Sequence, residues 1–291
     1  MTGSNIPLIS IVTPTYNRAD LLNETINSVL RQTYRNFELI IADDGSDDNT
    51  EEIVKAFGDP RIIYMFLDHT GIPATARNRA IEVAKGEYIA LLDSDDLWLP
   101  NKLESSLRLL KLNSDVALVC SNEYLYNGGK TTELLQKNIS NDKRILSKDL
   151  IEGNIVSSST VVIHKKVFED VGKFNESIKF RAVEDYHLWL RVNRKYEIYY
   201  CNEPLGFYRI HDGSIRLDNE KSLINLRNVF LDLIGNKYYQ DIGILNKIIE
   251  RRRDVELVLL KYYAKKFDLI SIISLFNKII QNLQYENSAH S

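Results

Sequence analysis

Three carboxylates stand within four residues in Asp93-Ser94-Asp95-Asp96, directly after the apolar run Tyr88-Ile-Ala-Leu-Leu92. Like charges this close each disfavour the ionisation of their neighbours. Two readings account for such a cluster at a strand end. Either a cation or cationic ligand compensates it, or the aspartates form a turn and cap the next helix, roles that suit Asp equally well. Polar clusters at Thr13–Arg18 and Asp43–Asp48 likewise follow short apolar runs. The chain has no G-x-x-x-x-G-K-[ST] loop and no G-x-G-x-x-G after its first apolar run, so it carries neither a P-loop nor a nicotinamide fingerprint. A diphosphate at this edge would then be neutralised by a divalent cation, Mg²⁺ or Mn²⁺, held by one or two carboxylates and phosphate oxygens. Asp93-Ser94-Asp95 supplies those carboxylates, and the cation would offset charge on a departing diphosphate.

The elements that must position these clusters follow from hydrophobic period. Leu8–Thr13 reads as a buried strand broken by Pro14, and Phe37–Ala42, Arg61–Leu67, Glu87–Leu92 and Val116–Ser121 as four more. Between them, Asp20 caps a helix with Leu22, Ile26, Val29 and Leu30 inward, and Asp48 and Glu51 resemble a capping box. Ala74–Lys85 forms a helix closed by Gly86 as C-cap, and Pro100 opens a helix running to Leu112. This alternation predicts crossover units and a largely parallel sheet, whose ligands bind beyond the carboxyl ends of the strands. All three polar clusters fall at those ends.

The alternation stops near Asn122. Asn127-Gly128-Gly129 predicts a hairpin turn, 137–143 a loop, and Ile155–Ile163 a strand containing the patch Ser157-Ser-Ser-Thr160. Glu184–Arg194 reads as a helix, Ile198–Cys201 and Phe207–Ile210 as short strands, and the chain from Asn219 as helices ending in the apolar segment Ile270–Ile280. Residues 1–218 are thus expected to form one domain, with halves 1–115 and 116–218, and 219–291 a helical extension.

Composition narrows the class. The 291 residues are 44% hydrophobic and 26% charged with net charge −3, an ordinary globular balance. That charge and a pI near 6.0 argue against a nucleic-acid binder. Cys120 and Cys201 lack metal-like spacing, and a reduced protein is the simpler reading. With no signal pattern at the N-terminus and no run of eighteen apolar residues, a soluble, cytoplasmic protein is expected. The last helix could lie on the inner face of a membrane, pack on its own domain or form a homodimer contact.

An ordered set of motifs then carries a resemblance. Ile11-Val-Thr-Pro-Thr-Tyr16-Asn17-Arg18, Gln32-Thr33, Asp43-Asp44-Gly45-Ser46, Ala76-Arg77-Asn78, Gly86-Glu87-Tyr88 and Asp93-Ser94-Asp95-Asp96 resemble the family-2 inverting glycosyltransferases across about the first hundred residues. The resemblance implies a GT-A fold: α/β, with a Rossmann-like, mostly parallel sheet flanked by helices, here followed by the C-terminal helical extension. It also implies roles by position. Thr13, Pro14 and Tyr16 would cradle the nucleoside, and Asp44 with Asp43 would accept from the base. Arg77 would flank the nucleotide and diphosphate, Asp93 with Ser94 would lie near the ribose or donor sugar, and Asp95 would ligate the metal. Read without the resemblance, Asp43 is a turn carboxylate, Arg77 a helix-surface charge and Tyr16 a packed aromatic.

Val183-Glu184-Asp185-Tyr-His-Leu-Trp189-Leu-Arg191 resembles the family's E-D-x-x-L-W-x-R segment, in which the Asp is the catalytic base. A positioned carboxylate that takes a sugar hydroxyl's proton is worth about 10²–10⁴-fold. Glu184 is the alternative base, and a plain helix cap is the alternative role for Asp185. Tyr208-Arg209-Ile210-His211 with Ser214 resembles the closing segment, where Arg209 would offset leaving-group charge and His211 would complete the metal site or stay structural. Trp189 would stack on an acceptor sugar or sit in the core, and Asp96 would cap the following helix.

Together these readings predict metal-assisted inverting transfer of a monosaccharide. The donor would be a nucleotide-sugar, expected to be a UDP-sugar, and the acceptor a glycan or lipid-linked glycan in cell-surface polysaccharide synthesis. Two rivals remain at this level: a nucleotidyltransferase, and a catalytically silent nucleotide-sugar-binding subunit.

Overall fold

A computed structural model describes residues 6–127, 129–211, 220–266 and 268–289. Gly128, Ser214 and the expected 218/219 boundary lie outside them. The chain divides into two compact units, Met1–Ser214 and Ile215–Ser291.

The first unit alternates as the hydrophobic period predicts: β1 (Ile9–Thr15), α1 (Ala19–Leu30), β2 (Phe37–Asp43), α2 (Thr50–Ala56), β3 (Ile62–Phe66), α3 (Pro73–Val83) and β4 (Tyr88–Leu91). A two-residue β5 (Leu97–Trp98), α4 (Lys102–Leu112) and the long β6 (Val116–Asn127) follow. With β9 at Val162–His164 and β10 at Glu197–Ile210, the sheet runs β3-β2-β1-β4-β9-β6-β10-β5. It is parallel from β3 through β4, and β6 and β10 are parallel to each other. Between those blocks β9 (Val162–His164) is antiparallel to both β4 and β6. The architecture is the expected mixed α/β GT-A fold with helices flanking a central sheet.

β1 extends through Pro14 to Thr15. The Val12 carbonyl accepts from Leu92 and the Thr15 carbonyl from Asp44. Alternate residues face alternate neighbours, so Pro14 shares the β4 edge of Val12. There the ladder ends at the Val12–Leu91 pair, and the missing N–H leaves no rung unmade.

α1 buries Leu22, Ile26 and Val29 completely, each worth about 1.5–3 kcal/mol relative to exposure. Its other flank forms a polar seam at i, i+3 and i+7. The Thr25 hydroxyl lies 3.0 and 2.9 Å from the carbonyls of Ser94 and Asp96, Ser28 Oγ accepts from Trp98 N–H, and Gln32 joins Leu99 O and Leu103 N. The helix therefore fixes the acidic loop as well as the core. Asp20 does not cap it; Asp48 accepts from both Ala19 N–H and Thr50 N–H, serving the starts of α1 and α2 from one loop.

Gly86 is likewise not a helix C-cap, since the helix closes at Ala84. A Cβ on Gly86 would lie 2.6 Å from the Ser10 backbone nitrogen and 2.8 Å from the Leu8 carbonyl, so close approach to β1 requires glycine.

The second half departs further from its expected elements. The hairpin forms, with β6 turning into β7 (Lys130–Leu134), and β8 (Lys143–Ile145) and α5 (Ser147–Glu152) follow the predicted loop. The strand expected over 155–163 is instead a 3₁₀ turn at Ser158–Thr160 followed by the short β9. After α6 (Lys166–Val171) and α7 (Glu184–Asn193), the two expected short strands are one strand, β10 (Glu197–Ile210), with irregularities at Cys201–Pro204 and Pro204–Phe207.

The second unit contains α8 (Glu220–Gly235), α9 (Ile242–Lys265) and α10 (Leu269–Ala289). Phe230, Leu233, Ile248 and Leu259 are buried, and Arg227 Nε donates to Glu256 Oε1 at 2.8 Å to tie α8 to α9. Among the described residues no helix is long and apolar enough to cross a membrane.

Candidate active site

The acidic loop begins where β4 leaves the sheet. Leu91 N–H still bonds to Val161 O, but Asp93 N–H bonds to Ser159 Oγ instead of a strand carbonyl. The four residues then separate in role. Asp93 Oδ1 accepts from Arg77 Nη2 at 2.7 Å. Ser94 is buried with its carbonyl turned to Thr25. Asp95 Oδ2 lies 2.9 Å from His211 Nε2. Asp96, only 3% exposed, accepts from Arg209 N–H and Ser159 Oγ. Burial, then the charges of Glu123, Asp95 and Asp93, push the Asp96 carboxyl well above its ordinary pKa. Asp96 is thus a buried support beneath the loop; α4 starts six residues later with Asn101 at its cap position.

Arg209 continues that support. Its Nε donates to the Asp95 carbonyl at 2.7 Å, its terminal nitrogens reach Glu24 on α1, and its guanidinium lies over Tyr126 at 5.3 Å. Below, Glu123 on β6 is 1% exposed, and burial raises its pKa to about 7. The Ser157 hydroxyl and Lys102 ammonium oppose that rise.

Asp95 and His211 suit a divalent cation. Among the described residues no three or more His, Cys, Asp and Glu gather into a metal cage. Asp95 Oδ2 and His211 Nε2, 2.9 Å apart, are the two groups that would hold such an ion, together with phosphate oxygens of a ligand.

Arg77 connects this loop to α7. It is 6% exposed, not a helix-surface charge, and its Nη1 donates to Glu184 Oε1 at 2.8 Å while Nη2 holds Asp93. Burial disfavours the guanidinium, yet Asp93 and Glu184 outweigh it and raise its pKa. Glu184 is therefore committed to an ion pair, which leaves Asp185 as the carboxylate at the helix start. Ala182 turns the chain into α7 with φ +72°, a left-handed conformation rare for alanine. Asp185 is partly buried and accepts from Tyr186 N–H, Asn154 Nδ2 and Ser158 Oγ. Burial, then the Glu184 charge, raise its pKa to about 6 against the pull of Arg77. Trp189 is fully buried, edge-on to Phe174, which places it in the core and away from any acceptor.

The ends of β1 and β2 form a third side. Thr13 is buried with its hydroxyl unpartnered, and Pro14 pairs in register with Ala42. Asp43 is fully buried; it accepts from Ser46 N–H and from Tyr64 OH, whose pKa burial and Asp43 raise. Asp44 accepts from Thr70 N–H, the Thr70 hydroxyl and Gly71 N–H. Both carboxylates thus hold the loops that shape this side. Tyr16, 43% exposed, stacks on His69 at 4.2 Å, and His69 Nδ1 lies 2.6 Å from the Asp44 carbonyl. Asn17 and Asp47 exchange hydrogen bonds that lace the two loops together.

His69, Glu123, Asn154 and Ser158 were not singled out from sequence as site residues, and each stands outside a recognisable motif. An open cavity of about 660 Å³ is bounded by Tyr124, Leu134, Asp142, Asn202 and Glu203, none of them among the candidate site residues.

Residues 10–172, more than half of the chain, match the family described as Glycosyl transferase family 2. The chain belongs to that family. It is 36% identical over 211 residues to an uncharacterised glycosyltransferase of Rickettsia typhi, covering 71% of this chain and 65% of that protein, so it spans just under two-thirds of that relative's length. It is 32% identical over 246 residues to the Escherichia coli UDP-Glc:alpha-D-GlcNAc-diphosphoundecaprenol beta-1,3-glucosyltransferase WfgD, covering 83% of this chain and 92% of that protein. Its fold is similar to Staphylococcus aureus TarS 1-349 in complex with UDP-GlcNAc, at TM-score 0.66 and 18% identity over 94% of this chain and 92% of that one. It is also similar to the Pyrobaculum calidifontis mannosyltransferase PcManGT in complex with GDP-Man and Mn²⁺, at TM-score 0.63 and 16% identity over 96% and 81%.

Proposed function

We propose that this chain transfers a hexose from a UDP-sugar to a lipid-linked glycan acceptor with inversion, as one step of cell-surface polysaccharide synthesis. The observation that carries this reading is Arg77, which touches Asp93 of the acidic loop at 2.7 Å and Glu184, next to Asp185, at 2.8 Å. These contacts support reading the acidic loop as the leaving-group pole and Asp185 as the base of one site. The E. coli relative supports the choice of a UDP-hexose and a lipid diphosphate.

In this reading Thr13, Pro14, Tyr16, Asp43 and Asp44 form the nucleoside side, and Asp93 and Ser94 the sugar side. Arg77 and Arg209 offset charge near the diphosphate. Asp185 takes the proton of the acceptor hydroxyl, whose oxygen attacks the anomeric carbon as the bond to the diphosphate oxygen breaks and UDP departs. A carboxylate with a pKa near 6 accepts that proton better than an ordinary aspartate while staying ionised at neutral pH. Asp95 and His211 would hold Mn²⁺ or Mg²⁺, which when bound supplies positive charge to the diphosphate. The enzyme would work in the cytoplasm at the inner face of the membrane, with residues 1–218 forming the catalytic domain and 219–291 the extension that meets lipid or a second copy.

The deciding experiment measures UDP release from a panel of UDP-sugars with and without Mn²⁺, using a lipid-diphosphate-linked GlcNAc acceptor. Turnover that needs both Mn²⁺ and acceptor is expected. Asp185→Asn should keep UDP affinity and lose about 10²–10⁴-fold in transfer. Full transfer by that variant, or a product with the donor's anomeric configuration, would refute the mechanism.

A further inference from the structure

The serine patch at 157–160 lies between Asp185 and the acidic loop. Within the 3₁₀ turn Ser158–Thr160, two consecutive hydroxyls reach opposite poles of the site. Ser158 Oγ donates to Asp185 Oδ2 at 3.2 Å. Ser159 Oγ donates to Asp96 Oδ2 at 2.5 Å and accepts Asp93 N–H at 3.1 Å. Asn154, four residues before Ser158, donates to the same Asp185 oxygen at 3.3 Å.

The turn is itself anchored. Trp98 Nε1 donates to the Ser159 carbonyl at 2.7 Å, Lys102 Nζ to the Thr160 carbonyl at 2.5 Å, and Thr160 Oγ1 to the Ser157 carbonyl at 2.7 Å. Ser158, Ser159 and Thr160 are 6%, 1% and 1% exposed. Lys102 is wholly buried, which lowers its pKa to about 8, and its contacts are to Thr160 and Ser106. A buried lysine and an indole N–H thus hold the backbone of a turn whose own side chains face the site.

We propose that the Ser158–Ser159 turn is a positioning element that fixes the carboxylate of Asp185 relative to the Asp93–Asp96 loop, with Asn154 and Ser158 orienting Asp185 and Ser159 holding the loop. This rests on the reading of Asp185 as base. Single displacement requires the base and the leaving diphosphate to flank the anomeric carbon, and a misplacement of about 1 Å can cost about 10²-fold. Arg77 on α3 forms one bridge between the poles through Asp93 and Glu184; the serine turn ahead of β9 forms a second. The charged groups facing Asp185 are Arg77, Glu184 and Asp93, so Asn154, Ser158 and the Tyr186 N–H are its neutral donors.

The test uses the full chain with the substitutions Ser158→Ala, Asn154→Ala and Ser159→Ala, and Asp185→Asn as reference. UDP-glucose, or the UDP-sugar turned over in the donor panel, is assayed with the lipid-diphosphate-linked GlcNAc acceptor across pH. UDP affinity with Mn²⁺ is measured by calorimetry, and thermal unfolding checks each fold. Ser158→Ala should lower kcat roughly tenfold or more with donor KM little changed. Because a donor to the charged form is lost, its acid limb should move to higher pH by about one unit. Asn154→Ala should move the limb the same way and decides the matter if Ser158→Ala unfolds. Ser159→Ala should weaken UDP–Mn²⁺ binding and leave the limb in place. A native acid limb and kcat in both Ser158→Ala and Asn154→Ala, with Asp185→Asn inactive, overturns the positioning role while leaving the base assignment intact. Transfer by Asp185→Asn overturns both.

Discussion

The environment of Asp185 bears on stability and, through its proposed role as base, on activity. Its folded pKa, about 6, lies above the ordinary carboxylate value of 3.8, so folding favours the protonated form. The stability this contributes is full below about pH 4 and is lost as pH rises through about 6. At neutral pH the charged carboxylate therefore costs stability, and Asp185→Asn should raise it by about 1–3 kcal/mol. The gain should shrink as pH falls from 7 towards 4, measured by denaturant unfolding. Over the same range kcat/KM of the native enzyme should fall about tenfold per pH unit below 6 if Asp185 is the proposed base, which acts only when ionised. A neutral or destabilising Asp185→Asn at pH 7 would contradict the environment described. Sequence pattern singled out Asp185 and the acidic loop because each lies in a dense run of motif residues. It misjudged Asp96, whose burial beneath the loop depends on Arg209 and Ser159, 113 and 63 residues away.

At the scale of elements, contacts between segments override local signals. Gly86 follows a helix and reads as its cap, but the requirement comes from β1. Gly86→Ala should destabilise by about 1–3 kcal/mol, since the atoms it meets are backbone that can move only with the strand; an unchanged melting temperature would show that β1 yields. Arg77 reads as one charge on a polar helix face, yet it joins two acids that are distant in sequence. Arg77→Ala should cost about 3–5 kcal/mol by leaving Glu184 and Asp93 uncompensated, and should abolish transfer. Arg77→Lys retains the charge but not the fork that spans both acids, and should recover stability better than activity. The periodic helices and parallel strands were legible because each buries an apolar face. The 155–163 segment was misread because Ile155, Val156 and Val161–Ile163 suggest a continuous strand, whereas the Ser158 and Ser159 hydroxyls bond to Asp185 and Asp96 from a 3₁₀ turn.

For the whole molecule, the helical extension follows from the apolar period of the chain after 219, and the proposed lipid contact would use its exposed surface. On α10, Leu275 is 6% exposed, whereas Leu269, Ile273, Phe276 and Ile280, at i, i+4, i+7 and i+11, are 70%, 60%, 51% and 51% exposed. From Leu269 to Asn282 the helix carries one charge, Lys278, and Lys261 and Lys265 are exposed at the end of α9 just before it. An apolar stripe beside cations suits an anionic lipid surface, where apolar burial and electrostatic attraction add. An enzyme whose acceptor is lipid-linked would gain by residing at that surface. The full chain should sediment with vesicles containing anionic phospholipid, less with neutral vesicles, and less again in high salt. Ile273→Ser with Phe276→Ser should reduce binding at least tenfold without lowering UDP affinity. If those substitutions instead convert a dimer to a monomer and vesicle binding is absent from the start, the stripe is a contact between copies of the chain and not a lipid-binding face.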